Sequence, residues 1–457
     1  MDVSPSSSFL GAFRSLSKRY RRQGATDAAT KLEAVVERAS DENLGDPSAV
    51  LVRFGGLVLT FLEQGQWNAA VDVGTIVVDA RRALLGPNDP LTMIAIHNLV
   101  SAYYGQGRWA EAIDLGRQVT EARRKVLGED HPQTMASMSN LATAYRKQGH
   151  WRQAESLELR LLEIKTRRLG EDHQSTLTSM GNLATTYSHM GRYDEAETLE
   201  KRVIERSARV LGDHHGSTLT WKSNLATTYR EQGRLEEAEK LESEVMDIRI
   251  ENLGVQHPLT LTSMANLASM YRDLGRLDDA EHLETQVVET SKVELGEKHP
   301  QTLMSMINLA STYRCQGRLE EAARLGVQAV AAMKSLLGDQ NPLTLTAMAD
   351  LALTYQSQGH TDGAEVLTAQ VLRLMQKNLG SLHPHTLTTM ANLGAIYQSQ
   401  GRWDEAEKLA EQTVRGREKV LGETHPDTQA SMEDLVRVCR VLAADRTTAM
   451  RVRNAHH

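Results

Sequence analysis

A leucine recurs every 42 residues along most of the chain, each time directly after Asn or Asp, and no insertion shifts it. The copies are Leu99, Leu141, Leu183, Leu225, Leu267, Leu309, Leu351, Leu393 and Leu435. Eight of the nine are followed by Tyr after four residues, Gly after eight and Ala after thirteen. A strict period of roughly 20 to 50 residues indicates a protein built of stacked repeats, so this period constrains the fold more than any other feature of the sequence.

Each repeat contains two runs of apolar residues at helical spacing, separated by a glycine. The first run of residues 127–168 consists of Met135, Met138, Leu141, Ala142 and Tyr145. The second run begins at Trp151, after Gly149, which suits the left-handed end of a helix. The His-Pro-x-Thr step at His131 suits a helix start, because Pro is tolerated in a first turn, and either the His or the Thr could be the cap. Each repeat is therefore predicted to be a helix hairpin that buries its apolar face against its neighbours.

The chain resembles the tetratricopeptide repeat family from roughly residue 10 to residue 443. The signature positions of that family correspond here to Leu141, Ala142, Tyr145, Gly149, Ala154 and Leu161. The 42-residue period, with LGxxHPxT and NLAxxYxxQGRxxEAE, is similar to the kinesin-light-chain type and to fungal repeat proteins of that class. The resemblance implies an all-α, right-handed superhelical solenoid whose first helices line a concave groove. It does not fix the function, because one fold hosts many functions.

We predict about ten hairpins and a C-terminal capping helix in a single domain. Residues 428–443 repeat only a first helix, and a lone final helix would shield the last hairpin from water. The predicted divisions are a disordered N-terminus at 1–8, a solenoid at 9–443 with a degenerate first pair at 9–45, regular repeats at 50–422, the capping helix at 428–443, and a flexible tail at 444–457.

Composition and motifs argue against several classes of protein. The 52 basic and 59 acidic residues give a net charge of −7, which does not favour nucleic-acid binding. No apolar run reaches the roughly 18 residues that a membrane span needs. Two cysteines without zinc-site spacing favour a reducing, cytoplasmic setting. No nucleotide, metal or nucleophile motif is present, so we predict neither a cofactor nor a metal nor an enzyme.

An asparagine precedes the recurring leucine in most repeats and is the first candidate binding group. The row is Asn98, Asn140, Asn182, Asn224, Asn266, Asn308 and Asn392. A ladder of amides can hold an extended peptide, because an amide matches peptide groups as donor and as acceptor. The alternative is a hydrogen bond that locks neighbouring helices. The family resemblance implies that this position faces the groove and contacts bound peptides, which favours binding.

A row of arginines follows near the end of the same helices and is the second candidate. It consists of Arg146, Arg230, Arg272 and Arg314. Arginine offers a planar fork to carboxylates, so the groove would prefer an acidic peptide. The second helices carry possible internal competitors at Glu158, Glu200, Glu242 and Glu284. If these carboxylates pair with the arginines, the groove is less basic than it looks.

These patterns favour a non-catalytic scaffold that binds extended, acidic peptide segments of partner proteins. An enzyme or small-molecule sensor that uses the interior of the superhelix as a chamber is one alternative. A cargo adaptor of the kinesin-light-chain type is another, although the long coiled coil expected of such an adaptor does not precede these repeats. The sequence does not indicate the partner, the pathway or the oligomeric state.

Overall fold

The computed structural model describes the backbone of residues 5–41 and 47–455 and the side chains of residues 9–39 and 47–444. The described residues form 21 α-helices and no strand. The helices are α1 Pro5–Arg22, α2 Thr26–Asp41, α3 Pro47–Glu63, α4 Trp67–Leu85, α5 Pro90–Gln106, α6 Trp109–Leu127, α7 Pro132–Lys147, α8 Trp151–Leu169, α9 Gln174–His189, α10 Tyr193–Leu211, α11 Gly216–Glu231, α12 Leu235–Leu253, α13 Pro258–Asp273, α14 Leu277–Leu295, α15 Pro300–Cys315, α16 Leu319–Leu337, α17 Pro342–Ser357, α18 Thr361–Asn378, α19 Pro384–Ser399, α20 Trp403–Leu421 and α21 Pro426–Ala455. The predicted all-α fold of ten hairpins and a final helix is confirmed.

The first helix of each hairpin from α5 onward, and α21, begins at Pro, Gln or Gly. The residue directly before that position caps the helix. In seven repeats a histidine Nδ1 accepts a hydrogen bond of 3.1–3.2 Å from the backbone N–H two residues later. Asp89 and Asn341 do the same through carboxylate and amide oxygens. The Thr of this step acts differently, since Thr176 Oγ1 donates to the Gly170 carbonyl at 2.8 Å and thereby closes the connection. The recurrent histidines are therefore caps.

Glycine ends the first helices in the predicted way. Gly107 lies in the left-handed region at φ 70°, and its backbone N–H bonds the Tyr104 carbonyl at 3.0 Å. Only glycine adopts this conformation routinely, which explains why the residue recurs at this position.

The chain divides into two compact units, Met1–Ile164 and Lys165–His457, with the boundary inside α8. In the N-terminal unit Phe13 stacks on Phe54 with ring centroids 3.7 Å apart. In the C-terminal unit the core consists of small clusters between successive helices, such as Leu219, Val245 and Ile248. The single continuous solenoid and its handedness stay predictions.

First helices of neighbouring repeats pack against each other within each unit, whereas second helices pack mainly against first helices. Such contacts join α3 to α5, α9 to α11, α13 to α15, α15 to α17 and α17 to α19. Because first helices approach one another more closely, they lie on the inner side of each unit. The residues they carry on that side are the candidate binding surface.

Both predicted ends need correction. Helix α1 begins at Pro5, so the predicted disorder is wrong at residues 5–8, where Pro takes the first helical position that it tolerates. Helix α21 continues to Ala455, so the predicted flexible tail is wrong for 444–455, a stretch without Gly or Pro to stop the helix. Residues 1–4, 42–46 and 456–457 of the predicted divisions lie outside the described residues.

Candidate binding groove

Seven first helices carry the asparagine row, and all seven side chains are half-buried. The row comprises Asn98, Asn140, Asn182, Asn224, Asn266, Asn308 and Asn392. Asn266 Nδ2 donates to Ser223 Oγ of the preceding repeat at 3.3 Å, so the helix-locking role predicted as the alternative occurs at this copy. Asn98 and Asn392 line cavities between first helices. Peptide binding by the row stays a prediction.

The arginine row is largely compensated by acidic side chains. Arg272 pairs with Glu284 on the same hairpin, and Arg230 Nε lies 2.5 Å from Asp273 in the next repeat. Arg314 lies near Asp350, whose pKa rises to about 6 because burial outweighs the nearby positive charges of Arg314 and Arg272. An acidic ligand would therefore have to displace Glu284 or Asp273 to use those two arginines. The fourth member, Arg146, is half-buried near the end of α7.

The glutamates of the second helices are buried beneath the groove. Glu158, Glu200, Glu242 and Glu284 are 3%, 2%, 0% and 2% exposed. Burial raises the pKa of Glu200 to about 7, against the opposing effect of the Thr228 hydroxyl. Burial also raises the pKa of Glu242, although Ser223, Ser263, Arg249 and Asn266 favour its charged form. The pKa of Glu284 rises for the same reason, with Arg272 and Thr312 opposing. Burial thus favours the protonated form of these three carboxyl groups.

A row of buried cations, which the sequence reasoning missed, lies on the second helices at the same 42-residue spacing. It comprises Arg81, Arg123, Lys165, Arg249 and Arg417, all at most 8% exposed. Each donates to a backbone carbonyl in the first turn of the next helix, as Arg249 Nη1 does to Leu259 at 3.1 Å. Four of them also reach a serine hydroxyl fourteen residues later: Ser137, Ser179, Ser263 or Ser431. That shared offset of fourteen residues was the signal available in the sequence.

Arginines directly after the hairpin glycines join neighbouring repeats away from the asparagine row. Arg234 stacks on Tyr229 with 4.0 Å from Cζ to the ring centroid, and its Nη1 lies 2.9 Å from Glu197 of the preceding repeat. Equivalent pairs link Arg276 to Glu239, Arg318 to Glu281 and Arg402 to Glu365. These contacts give the recurring GRxxEAE motif a structural role.

Other chemistry is sparse in the part of the chain that the structure describes. No group of three or more His, Cys, Asp or Glu side chains there could hold a metal ion. Cys315 and Cys439 are exposed and are not disulfide-bonded. No described helix is long and apolar enough to cross a membrane.

Comparison with protein families matches the tetratricopeptide repeat over most of this array. The matched segments are residues 48–125, 93–167, 176–216, 201–251, 217–292, 285–335, 344–385 and 386–427. The chain belongs to the tetratricopeptide repeat family. No curated protein sequence matches it.

Three solved structures illustrate the range of similar folds. A kinesin light chain-like protein of Podospora anserina with nearly identical TPR-like repeats is 33% identical, covering 44% of this chain and 95% of its own, at a TM-score of 0.38. BtubC of P. vanneervenii is 22% identical over 50% of this chain and 92% of its own, at 0.42. The apo quorum sensor NprR of B. thuringiensis is 14% identical over 81% of this chain and 97% of its own, at 0.51.

Proposed function

We propose that this protein is a non-catalytic, cytoplasmic scaffold that binds extended peptide segments of partner proteins along the asparagine row. The observation that carries the proposal is a half-buried asparagine at the same position of seven first helices. Amides that recur from repeat to repeat can pair with peptide groups at intervals along an extended chain, whatever its side chains are. Affinity then comes from many shallow contacts rather than from one reactive centre.

An acidic preference is a separate and finer part of the proposal. It depends on arginines that exchange an internal carboxylate for one on the ligand. Arg230 is the better placed of the two paired arginines, because its partner Asp273 is exposed whereas Glu284 is buried. An acidic side chain of the ligand would take the place of Asp273 beside Arg230. The ion pair that is lost is solvent-exposed and therefore weak, whereas at Arg272 the ligand would have to break a buried ion pair.

The test is a peptide array, together with capture of partner proteins, using the intact chain. Replacing Asn182, Asn224 and Asn266 with Ala is expected to weaken binding of captured segments at least tenfold. A matched control replaces Glu205, Asp247 and Glu289 with Ala, since these side chains are exposed on second helices at the same spacing. Both variants are checked for helical content. Equal binding by the asparagine variant and the control contradicts the proposal.

A further inference from the structure

One face of α21, the last helix of the C-terminal unit, is open to solvent. In a regular hairpin the second helix covers the corresponding face of the first, so Val100 of α5 is 2% exposed and Met348 of α17 is fully buried. The equivalent residues of α21 are Val436, which is 47% exposed, and Met432, which is half-buried. They line an open groove of about 550 Å³ along the helix. This face therefore exposes apolar side chains at positions that regular repeats bury.

Helix α21 continues at the point where the first helices of the repeats end. Those helices end just before a glycine in the left-handed conformation, such as Gly401 at φ 72° after α19. Ala443 stands at the equivalent position and favours helix, so α21 runs on to Ala455. The backbone therefore makes no turn there that would bring a second helix back over Met432 and Val436. The open face fits a helix from outside the hairpin.

Charges of opposite sign flank Val436 on the same face. Glu433 lies three residues before it and Arg440 four residues after it, so all three share one side of the helix and line the groove. Arg437 between them pairs with Asp434. Within the described part of the chain, neither Glu433 nor Arg440 has an ion-pair partner. A stripe with an acid at one end and a base at the other is complementary to an antiparallel copy of itself, the arrangement that a two-fold axis produces.

We propose that two copies of this chain pair through α21, antiparallel, about a two-fold axis that passes beside Val436. Glu433 of each copy lies opposite Arg440 of the other, which forms two identical ion pairs. The same register places Met432 of each copy opposite Val441 of the other, and Val436 is covered near the axis. The helix of the second copy runs in the direction that a second helix takes in a regular hairpin. One register thus satisfies the charged and the apolar residues of the open face together.

The pairing goes beyond the proposed function and does not depend on it, because the open face lies apart from the asparagine row. Asn392 lines a cavity together with Ala430 and Asp434 of α21, and neither of these two residues lines the open groove. The asparagine side of α21 therefore stays accessible in the dimer. The Asn182, Asn224 and Asn266 variant is expected to dimerise like the wild type, so failure of either proposal is distinguishable from failure of the other.

Sedimentation equilibrium of the full-length chain in reducing buffer measures its mass in solution. The wild type is expected to reach twice the mass of one chain as its concentration rises. Val436→Glu is expected to raise the dissociation constant of the dimer at least tenfold, because it places two like charges near the axis. Val366→Glu is the matched control, since Val366 is 70% exposed on α18, and it is expected to dimerise normally. A wild type that stays monomeric at its highest soluble concentration overturns the proposal, as does an assembly that Val436→Glu leaves unchanged.

Charge reversal tests the antiparallel register. Glu433→Arg and Arg440→Glu are each expected to raise the dissociation constant at least tenfold, since each homodimer then contains two like-charged pairs. An equimolar mixture of the two variants is expected to form heterodimers about as strong as the wild-type dimer, because every charge again faces its opposite. Lys419→Glu, an exposed charge reversal on α20, is the control and is expected to dimerise normally. A mixture that associates no better than either variant alone overturns the antiparallel pairing through α21.

Discussion

The guanidinium of Arg272 on α13 pairs with the carboxylate of Glu284 on α14, which is 2% exposed. The same guanidinium donates to Ser269 Oγ at 3.0 Å and to Thr312 Oγ1 of the next repeat at 3.3 Å. Thr312 in turn donates to Glu284. The pair therefore connects two successive repeats beneath the candidate groove, with Glu284 buried, Arg272 half-buried and both side chains hydrogen-bonded.

Arg272→Met is expected to lower the free energy of unfolding by about 3–5 kcal/mol, because it leaves a buried carboxylate without its cation. Adding Glu284→Leu is expected to recover most of that loss, since both charges are then removed. Arg230→Met is the control, because its partner Asp273 is exposed and such pairs contribute less than about 1 kcal/mol. Urea unfolding measures all three, and equal losses for Arg272→Met and Arg230→Met contradict the prediction.

Glu200 makes the stability depend on pH. Folding raises its pKa from 4.5 to about 7, so the folded state binds the proton more tightly than the unfolded state between these values. Its stabilising contribution is complete below pH 4.5 and is lost as the pH rises through about 7. Glu200→Gln stays neutral and removes this dependence.

The difference in unfolding free energy between the wild type and Glu200→Gln is expected to change by about 3 kcal/mol from pH 4.5 to pH 8, in favour of the variant at high pH. Glu205→Gln is the control, as Glu205 is exposed on the same helix. Urea unfolding at several pH values measures both differences. A constant difference for Glu200→Gln refutes the raised pKa.

The hairpins, their boundaries and their capping residues were predictable because short-range rules set them. Gly at positive φ, His-Pro at the helix start and a fixed period leave little choice of local structure. The predicted flexible tail was wrong for residues 444–455, because the end of the repeat pattern does not require the helix to end. Helix propensity alone allows α21 to continue to Ala455.

The site was only partly predictable. The positions of the asparagines, arginines and glutamates follow from their place in the repeat, but their partners do not. Arg230 pairs with the next repeat whereas Arg272 pairs within its own hairpin, although both hold equivalent positions. The buried cations were missed because their partners lie across the connection between hairpins.

Variants of Arg123 can show whether the buried cations contribute to the stability of the fold. Arg123 Nη1 donates to Ser137 Oγ at 2.6 Å and to the Gln133 carbonyl at 3.1 Å. The chain itself offers an apolar substitute, since Met333 and Ala347 occupy the equivalent positions and are both fully buried. Replacing a buried charge that lacks an acidic partner with an apolar residue is often neutral or stabilising.

The double variant Arg123→Met/Ser137→Ala is therefore expected to have a free energy of unfolding equal to or above that of the wild type. Arg123→Ala alone is expected to lose about 1–3 kcal/mol, because polar groups lose their partner and a void remains. Thermal and urea unfolding measure both variants. A double variant as unstable as Arg123→Ala shows that the buried cation is required.

A contact between distant repeats of the C-terminal unit joins Gly191 to the cap of α21. A Cβ built at Gly191 would lie 2.5 Å from His425 Cδ2, and His425 is 8% exposed. Tyr193 lies in the same contact, and its pKa rises to about 12 through burial, with smaller effects from Glu231 and Asp427. The start of α21 is thus held by the turn between α9 and α10 as well as by its own neighbour α20.

Gly191→Ala is expected to release the start of α21, whereas Gly275→Ala is not. Both glycines have positive φ, 71° and 75°, so both variants carry the same left-handed strain of about 1–2 kcal/mol. Only Gly191 faces another side chain, because a Cβ at Gly275 meets nothing within 4 Å. Hydrogen exchange of residues 425–432 measures the effect, and faster exchange is expected in Gly191→Ala alone. The same exchange in both variants means that the histidine contact does not stabilise the start of α21.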